Sequence, residues 1–111
     1  MKKYKLEMGQ FLEEYSKVLT GKNTGIKNRE DVNLNNIESA YDVIEIIFSD
    51  DIYSVNTGYF CGFFEPSFKK YKQSFLKKFE FYGREIIVSK IKSDYERYNR
   101  IVKYKGESSN E

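Results

Sequence analysis

The stretch IEIIFSDDIYSVNTGYFCGFF, Ile44 to Phe64, constrains the fold more than any other part of the chain. Its opening half belongs to a short β-branched run, Val43 to Phe48, the pattern of a buried central strand. After Asn56-Thr57-Gly58 the period changes, and Tyr59, Phe60, Phe63 and Phe64 recur at helical spacing. A core strand that feeds a ring-lined helix must bury that helix against its own sheet, which places the chain in the α/β class.

The flanks extend this pattern. Tyr4, Leu6 and Met8 alternate with Lys3, Lys5 and Glu7, as in a half-buried strand. Phe11, Leu12, Tyr15, Val18 and Leu19 recur at helical spacing, with an extended continuation as the alternative over so short a run. TGKNTG, Thr20 to Gly25, carries turn chemistry and reads as a loop. A helix from Thr24 would use Ile26, Glu30 and Leu34, although the NLNN segment is a poor helix former. Pro66 predicts a break or bend at Glu65, before a second helical piece carrying Phe68, Tyr71 and Phe75. Leu76 to Tyr82 alternates rings with charges and reads as another strand. Val88, Ile91, Tyr95, Tyr98 and Val102 form one stripe of a long amphipathic helix. Gly106 would stop that helix and leave a flexible polar tail over residues 106–111. The expectation is a single domain over residues 1–105, α/β (α+β), with a mixed sheet of about four strands and helices packed on it.

Composition decides which chemistry is available. With 111 residues there is length for one hydrophobic core. A net charge of +2 is too small to indicate a nucleic-acid footprint by itself. Cys61 is the single cysteine, so no internal disulfide forms and a reducing, cytoplasmic setting is expected. MKKYKLEMGQ lacks the apolar run of a secretory leader, and no apolar segment approaches the ~20 residues that span a bilayer. Histidine is absent, which removes the commonest general base and metal ligand and leaves Cys61 without a base. The expectation is therefore a non-enzymatic protein without a cofactor, binding a partner through its many phenylalanine and tyrosine rings.

Strand, Ser/Asp loop, hydroxyl-glycine step, then helix resembles the heart of the STAS domain, found in anti-sigma-factor antagonists and sulfate-transporter tails. Phe48-Ser49 falls on the family's Leu-Ser step, Tyr53 on its aromatic position and Asn56-Thr57-Gly58 on its Ser-Ser-Gly, with Tyr59 in place of leucine. FLKKFEF and the long final helix are more similar to the bacterial STAS-like domains of unassigned function. Ile47, Asp50 and Val55 depart from the pattern, standing where the family has aspartate, glycine and aspartate. The resemblance spans about Ser39 to Val102. It implies a regulatory module whose Asn56-to-Phe64 segment meets a partner protein such as a kinase-like ATPase, as monomer or homodimer. Thr57 would be the phosphoacceptor, and Ser49, Tyr53, Asn56, Gly58 and Tyr59 would surround it. Phosphate adds about −1.5 to −2 charges and would switch an apolar contact off.

Plainer readings stand beside these. Thr57 would serve as an N-cap and nothing more. TGKNTG lacks the glycine-lysine order of a phosphate loop. Glu45, Asp50 and Asp51 are ordinary turn or strand carboxylates as readily as Mg²⁺ ligands. Cys61 is placed among rings, as a small core residue. KKYKQSFLKKF, Lys69 to Phe79, interleaves rings with lysines, but Phe75 and Phe79 sit at core spacing. Two other classes are a small phage or mobile-element inhibitor acting by surface contact, and a weak nucleic-acid-binding domain.

Overall fold

The computed structural model describes residues 1–109, and the side chains of residues 1–101. Strand β1 (Lys3–Glu7) leads through a 3-10 turn and a loop to β2 (Val18–Leu19). Helices α1 (Lys22–Val32) and α2 (Leu34–Ala40) precede β3 (Val43–Ile47) and β4 (Ser54–Val55). Then come α3 (Thr57–Tyr71), α4 (Phe75–Lys78), β5 (Phe79–Tyr82) and α5 (Glu85–Ser109). The class is α/β as expected, but the pairing is not mixed. One sheet runs β1-β3-β5 and a second pairs β2 with β4, and every pair is parallel. Helical crossovers separate each pair in sequence, and that connection returns a strand in the same direction.

Ile44 and Ile46 face inward with no exposed surface, and Phe48 follows at the strand's end. Leu6 stands beside Ile46 on one flank and Phe81 on the other. The opposite face carries Lys5, Glu45 and Glu80 in register. Helix α3 covers the inner face with Phe60, Phe64 and Phe68, which meet Phe75, Phe79 and Phe81 mostly as tilted or edge-on pairs. Each such ring pair adds about 0.5–1.5 kcal/mol beyond its buried area.

Helices α1 and α3 cross on glycine. A Cβ at Gly25 would lie 2.4 Å from the Tyr59 carbonyl, and one at Gly62 would lie 2.1 Å from the Lys22 carbonyl. Only hydrogen at both positions lets the two backbones touch.

Several local expectations need correction. Of the two readings of Phe11–Leu19 the helical one fails and the extended one holds at its end: Tyr15 is 97% exposed at φ 66°, and Val18–Leu19 pair with Ser54–Val55. TGKNTG is a loop only to Gly21, because α1 starts at Lys22. That helix stops at Asn33, which adopts the left-handed conformation (φ 53°) that asparagine tolerates. Leu76 to Lys78 are helical, so the final strand begins at Phe79.

The break expected at Pro66 is the most instructive correction. Helix α3 runs through it to Tyr71, and the break comes at Lys72 with φ 51°. Proline removes the donor that the Gly62 carbonyl would use. The ring of Pro66 lies on the exposed side, while Phe63, Phe64 and Phe68 stay buried only if the helix continues. Arg29 Nη1 also donates to the neighbouring Phe63 carbonyl at 2.7 Å. Burial on both sides of the proline outweighs one lost bond. In α5, Ile87, Ile91 and Tyr95 are buried, with Val88 and Tyr98 partly so. The side chain of Val102 lies outside the described residues, and the helix continues past Gly106 to Ser109.

Candidate functional site

The turn that opens α3 is organised by Asn56, not Thr57. The Asn56 Oδ1 atom accepts the Tyr59 N–H at 2.8 Å and the Gly21 N–H at 3.3 Å. Its amide donates to Thr20 Oγ1 at 2.7 Å. One side chain thus caps α3 and fastens it to the turn before α1. Asn56→Ala should lower stability by about 1–2 kcal/mol, the upper half of the capping range, because the bonds to Gly21 and Thr20 are lost with the cap. A urea midpoint equal to the parent's would remove this role.

Freed from capping, Thr57 occupies the first helical position with an exposed residue surface. Its hydroxyl donates to Asp94 Oδ2 at 3.1 Å and accepts from Lys90 Nζ at 2.7 Å. Lys90 and Asp94 close the ring with an ion pair of 3.0 Å, one turn apart on α5. Asp94 is 6% exposed. Lys90 donates to the hydroxyl and Asp94 accepts from it, so the cluster fixes the hydroxyl's orientation between a cation and a carboxylate. What it can do is join the start of α3 to α5 and hold that hydroxyl at a helix N-terminus, where the backbone favours negative charge.

The other expected residues scatter. Gly58 follows Thr57 in the first turn, half-buried, 3.6 Å from the Lys22 nitrogen as measured from an added Cβ. Tyr53 is exposed on the β3–β4 loop, its ring 5.1 Å from the Arg84 guanidinium. Ser49 closes the turn after β3, accepting the Ile52 N–H on its carbonyl at 3.0 Å, and its hydroxyl packs against Gly9. Tyr59 does not frame a patch. It is 1% exposed, accepts from Asn28 at 2.8 Å, and burial pushes its phenol up to about 12 against that hydrogen bond. Helical spacing explains the difference: Tyr59 shares the inward side of α3 with Phe63, which it stacks on at 6.1 Å.

Lys90 and Asp94 were not singled out from sequence, although one signal was there. Asp94 interrupts the apolar stripe between Ile91 and Tyr95, where a carboxylate must find a partner. A second buried group was also missed. Arg29 donates to Ser67 at 2.9 Å and Asn35 at 2.7 Å, and pairs with Glu38 at 3.4 Å. Burial lowers the pKa of Arg29, with Glu38 opposing the shift. Beside it, a cleft of about 330 Å³ lies between α1 and α3, lined by Ile26, Arg29, Asn35 and Pro66 among others, and Thr57 is not among its residues. Cys61 lines an adjoining cleft of about 220 Å³ instead of the core, and burial pushes its thiol up, away from reactivity.

Among the described residues no three potential ligand side chains gather around a metal position, and no helix is long and apolar enough to cross a membrane. No protein-family profile matches the chain, and no curated protein and no solved structure matches it significantly.

Proposed function

We propose that this chain is a non-catalytic, STAS-like interaction module whose Thr57 hydroxyl is the point at which a partner contact is switched by phosphorylation. The observation that carries the proposal is the Thr57 hydroxyl held between Lys90 and Asp94 on an exposed helix start. The reading draws support from the succession of β3, the Ser49 loop, the short strand β4 and α3, which keeps the strand-loop-helix sequence on which the resemblance rests. A phosphoryl group there gains Lys90 and the free N–H groups of α3. It also brings about −1.5 to −2 charges against the buried Asp94 carboxylate, and it removes the hydroxyl's proton donation to Asp94. The switch therefore acts on the α3–α5 junction as well as on the partner.

Two substitutions separate this from a merely structural hydroxyl. Thr57→Ala removes the hydroxyl's bonds to buried Asp94 and exposed Lys90, whose own ion pair remains, and should cost about 1 kcal/mol and leave the partner bound. Thr57→Asp should weaken partner binding about tenfold or more, since charge enters the contact. The measurement is quantitative mass spectrometry of proteins from the source cell retained by immobilised parent and variants. A partner retained equally by the parent and Thr57→Asp would end the switching proposal. Finding no phosphate on Thr57 in protein purified from that cell would end its phosphorylation arm.

A further inference from the structure

The second surface concerns a sheet edge and does not depend on Thr57. In the order β1-β3-β5, both β1 and β5 are edges. Exposed edges invite pairing with another chain, and proteins guard them with charge. β1, Lys-Tyr-Lys-Leu-Glu, is guarded in that way. β5, Phe-Glu-Phe-Tyr, has one charge, and Glu80 is already engaged by Lys3 at 3.5 Å and by the Tyr82 hydroxyl at 3.2 Å.

The backbone phase shows which groups are free. The Tyr82 carbonyl accepts the Phe48 N–H at 2.8 Å, so Tyr82 turns its main-chain groups toward the sheet interior. Main-chain groups alternate along a strand, which points the N–H and C=O of Phe81 out of the free edge. A cleft of about 230 Å³ follows that edge, lined by Leu76, all four residues of β5, and Lys92 from α5. Leu76 is 37% and Tyr82 44% exposed. Lys77 and Lys92 are exposed, and among the described residues neither has an ion-pair partner.

We propose that the β5 edge binds an extended acidic segment of a partner protein as an added strand. Main-chain bonds would run to Phe81, an apolar side chain would lie over Leu76, and an acidic side chain would face Lys92. Strand addition of this kind takes its affinity from the main chain and its selectivity from flanking side chains. Charge selects the occupant. A second copy of β5 would bring the same unpaired lysines to the shared edge, whereas an acidic segment neutralises them.

The test uses the intact protein and two labelled synthetic peptides of about eight residues, Val alternating with Glu in one and with Lys in the other. Fluorescence anisotropy should show the Glu peptide binding at least about fivefold more tightly, the effect of one rim charge pair. Lys92→Glu, an exposed change that the fold tolerates, should reverse the preference. Amide exchange followed by NMR should slow at Phe81 by about tenfold or more when the Glu peptide binds. Equal binding of both peptides, binding of neither, or unchanged exchange at Phe81 would overturn the proposal. Slowing at Phe81 that grows with protein concentration and needs no peptide would overturn it in favour of self-pairing.

Discussion

Gly62→Ala should destabilise the protein by about 3 kcal/mol or more, while Gly58→Ala, one turn earlier in the same helix, should stabilise it. Both positions are helical, so both variants gain the ~0.5–1 kcal/mol by which alanine exceeds glycine in a helix. What differs is the space outside. At Gly58 a Cβ meets Asn56 Oδ1 at 3.5 Å and the Lys22 nitrogen at 3.6 Å, ordinary contacts. At Gly62 it meets the Lys22 carbonyl oxygen at 2.1 Å and the Ile26 nitrogen at 3.2 Å. Those are backbone atoms of α1, which cannot rotate away as a side chain can. Relief requires α1 and α3 to separate by about 1 Å along their crossing, which opens voids beside Phe63 and Tyr59 and forfeits close-packed contact. Overpacking ordinarily costs about 1–3 kcal/mol, and a clash between two backbones belongs at or beyond the top of that range. Urea unfolding of the parent and both variants checks the prediction. If Gly62→Ala fell within about 1 kcal/mol of the parent, the helices would not be in the backbone contact described.

Those glycines show where reading the sequence succeeded and where it stopped. The β3 strand was legible because Ile44, Ile46 and Phe48 are apolar in a β-branched run, and burial is what such runs report. The start of α3 was legible to one residue, and the error of placing the cap on Thr57 followed from family resemblance outweighing the stronger cap, Asn56. Gly58 and Gly62 look alike in the sequence, and only the arrival of α1 makes one indispensable and the other replaceable. Pro66 failed as a stop signal for a related reason. Local chemistry disfavours helix there, but Phe63, Phe64 and Phe68 can all reach the core only if the helix continues, and tertiary burial won. At the candidate site the hydroxyl was legible and its company was not. Lys90 and Asp94 lie more than 30 residues away in sequence, and no local pattern joins them to Thr57.

Arg29→Met should cost about 3–5 kcal/mol, and adding Glu38→Leu should restore most of the loss. In sequence, Asn28 to Asp31 is a polar run of the kind that faces water. In the fold, the Arg29 side chain is 8% exposed and that of Glu38 has no exposure at all. Four groups depend on the guanidinium: the Phe63 carbonyl beside Pro66, Ser67, Asn35 and Glu38. Ser67 donates to Glu38 Oε2 as well, so α1, α2 and α3 meet at one carboxylate. Among the described residues Glu38 Oε1 accepts no hydrogen bond, and the cation paired with it is Lys70 at 3.7 Å. Removing Arg29 alone leaves a buried charge with only a distant, exposed lysine, which is why breaking such a pair costs more than the pair contributes. Removing both charges eliminates the desolvation cost along with the attraction, and apolar replacements of similar volume are commonly neutral. The double-mutant cycle measured by urea unfolding isolates the coupling. A single variant within about 1 kcal/mol of the parent would mean that Glu38 reaches water or a proton without Arg29. A double variant no more stable than Arg29→Met would mean that the guanidinium's bonds to Phe63, Ser67 and Asn35, rather than the ion pair, hold the three helices together.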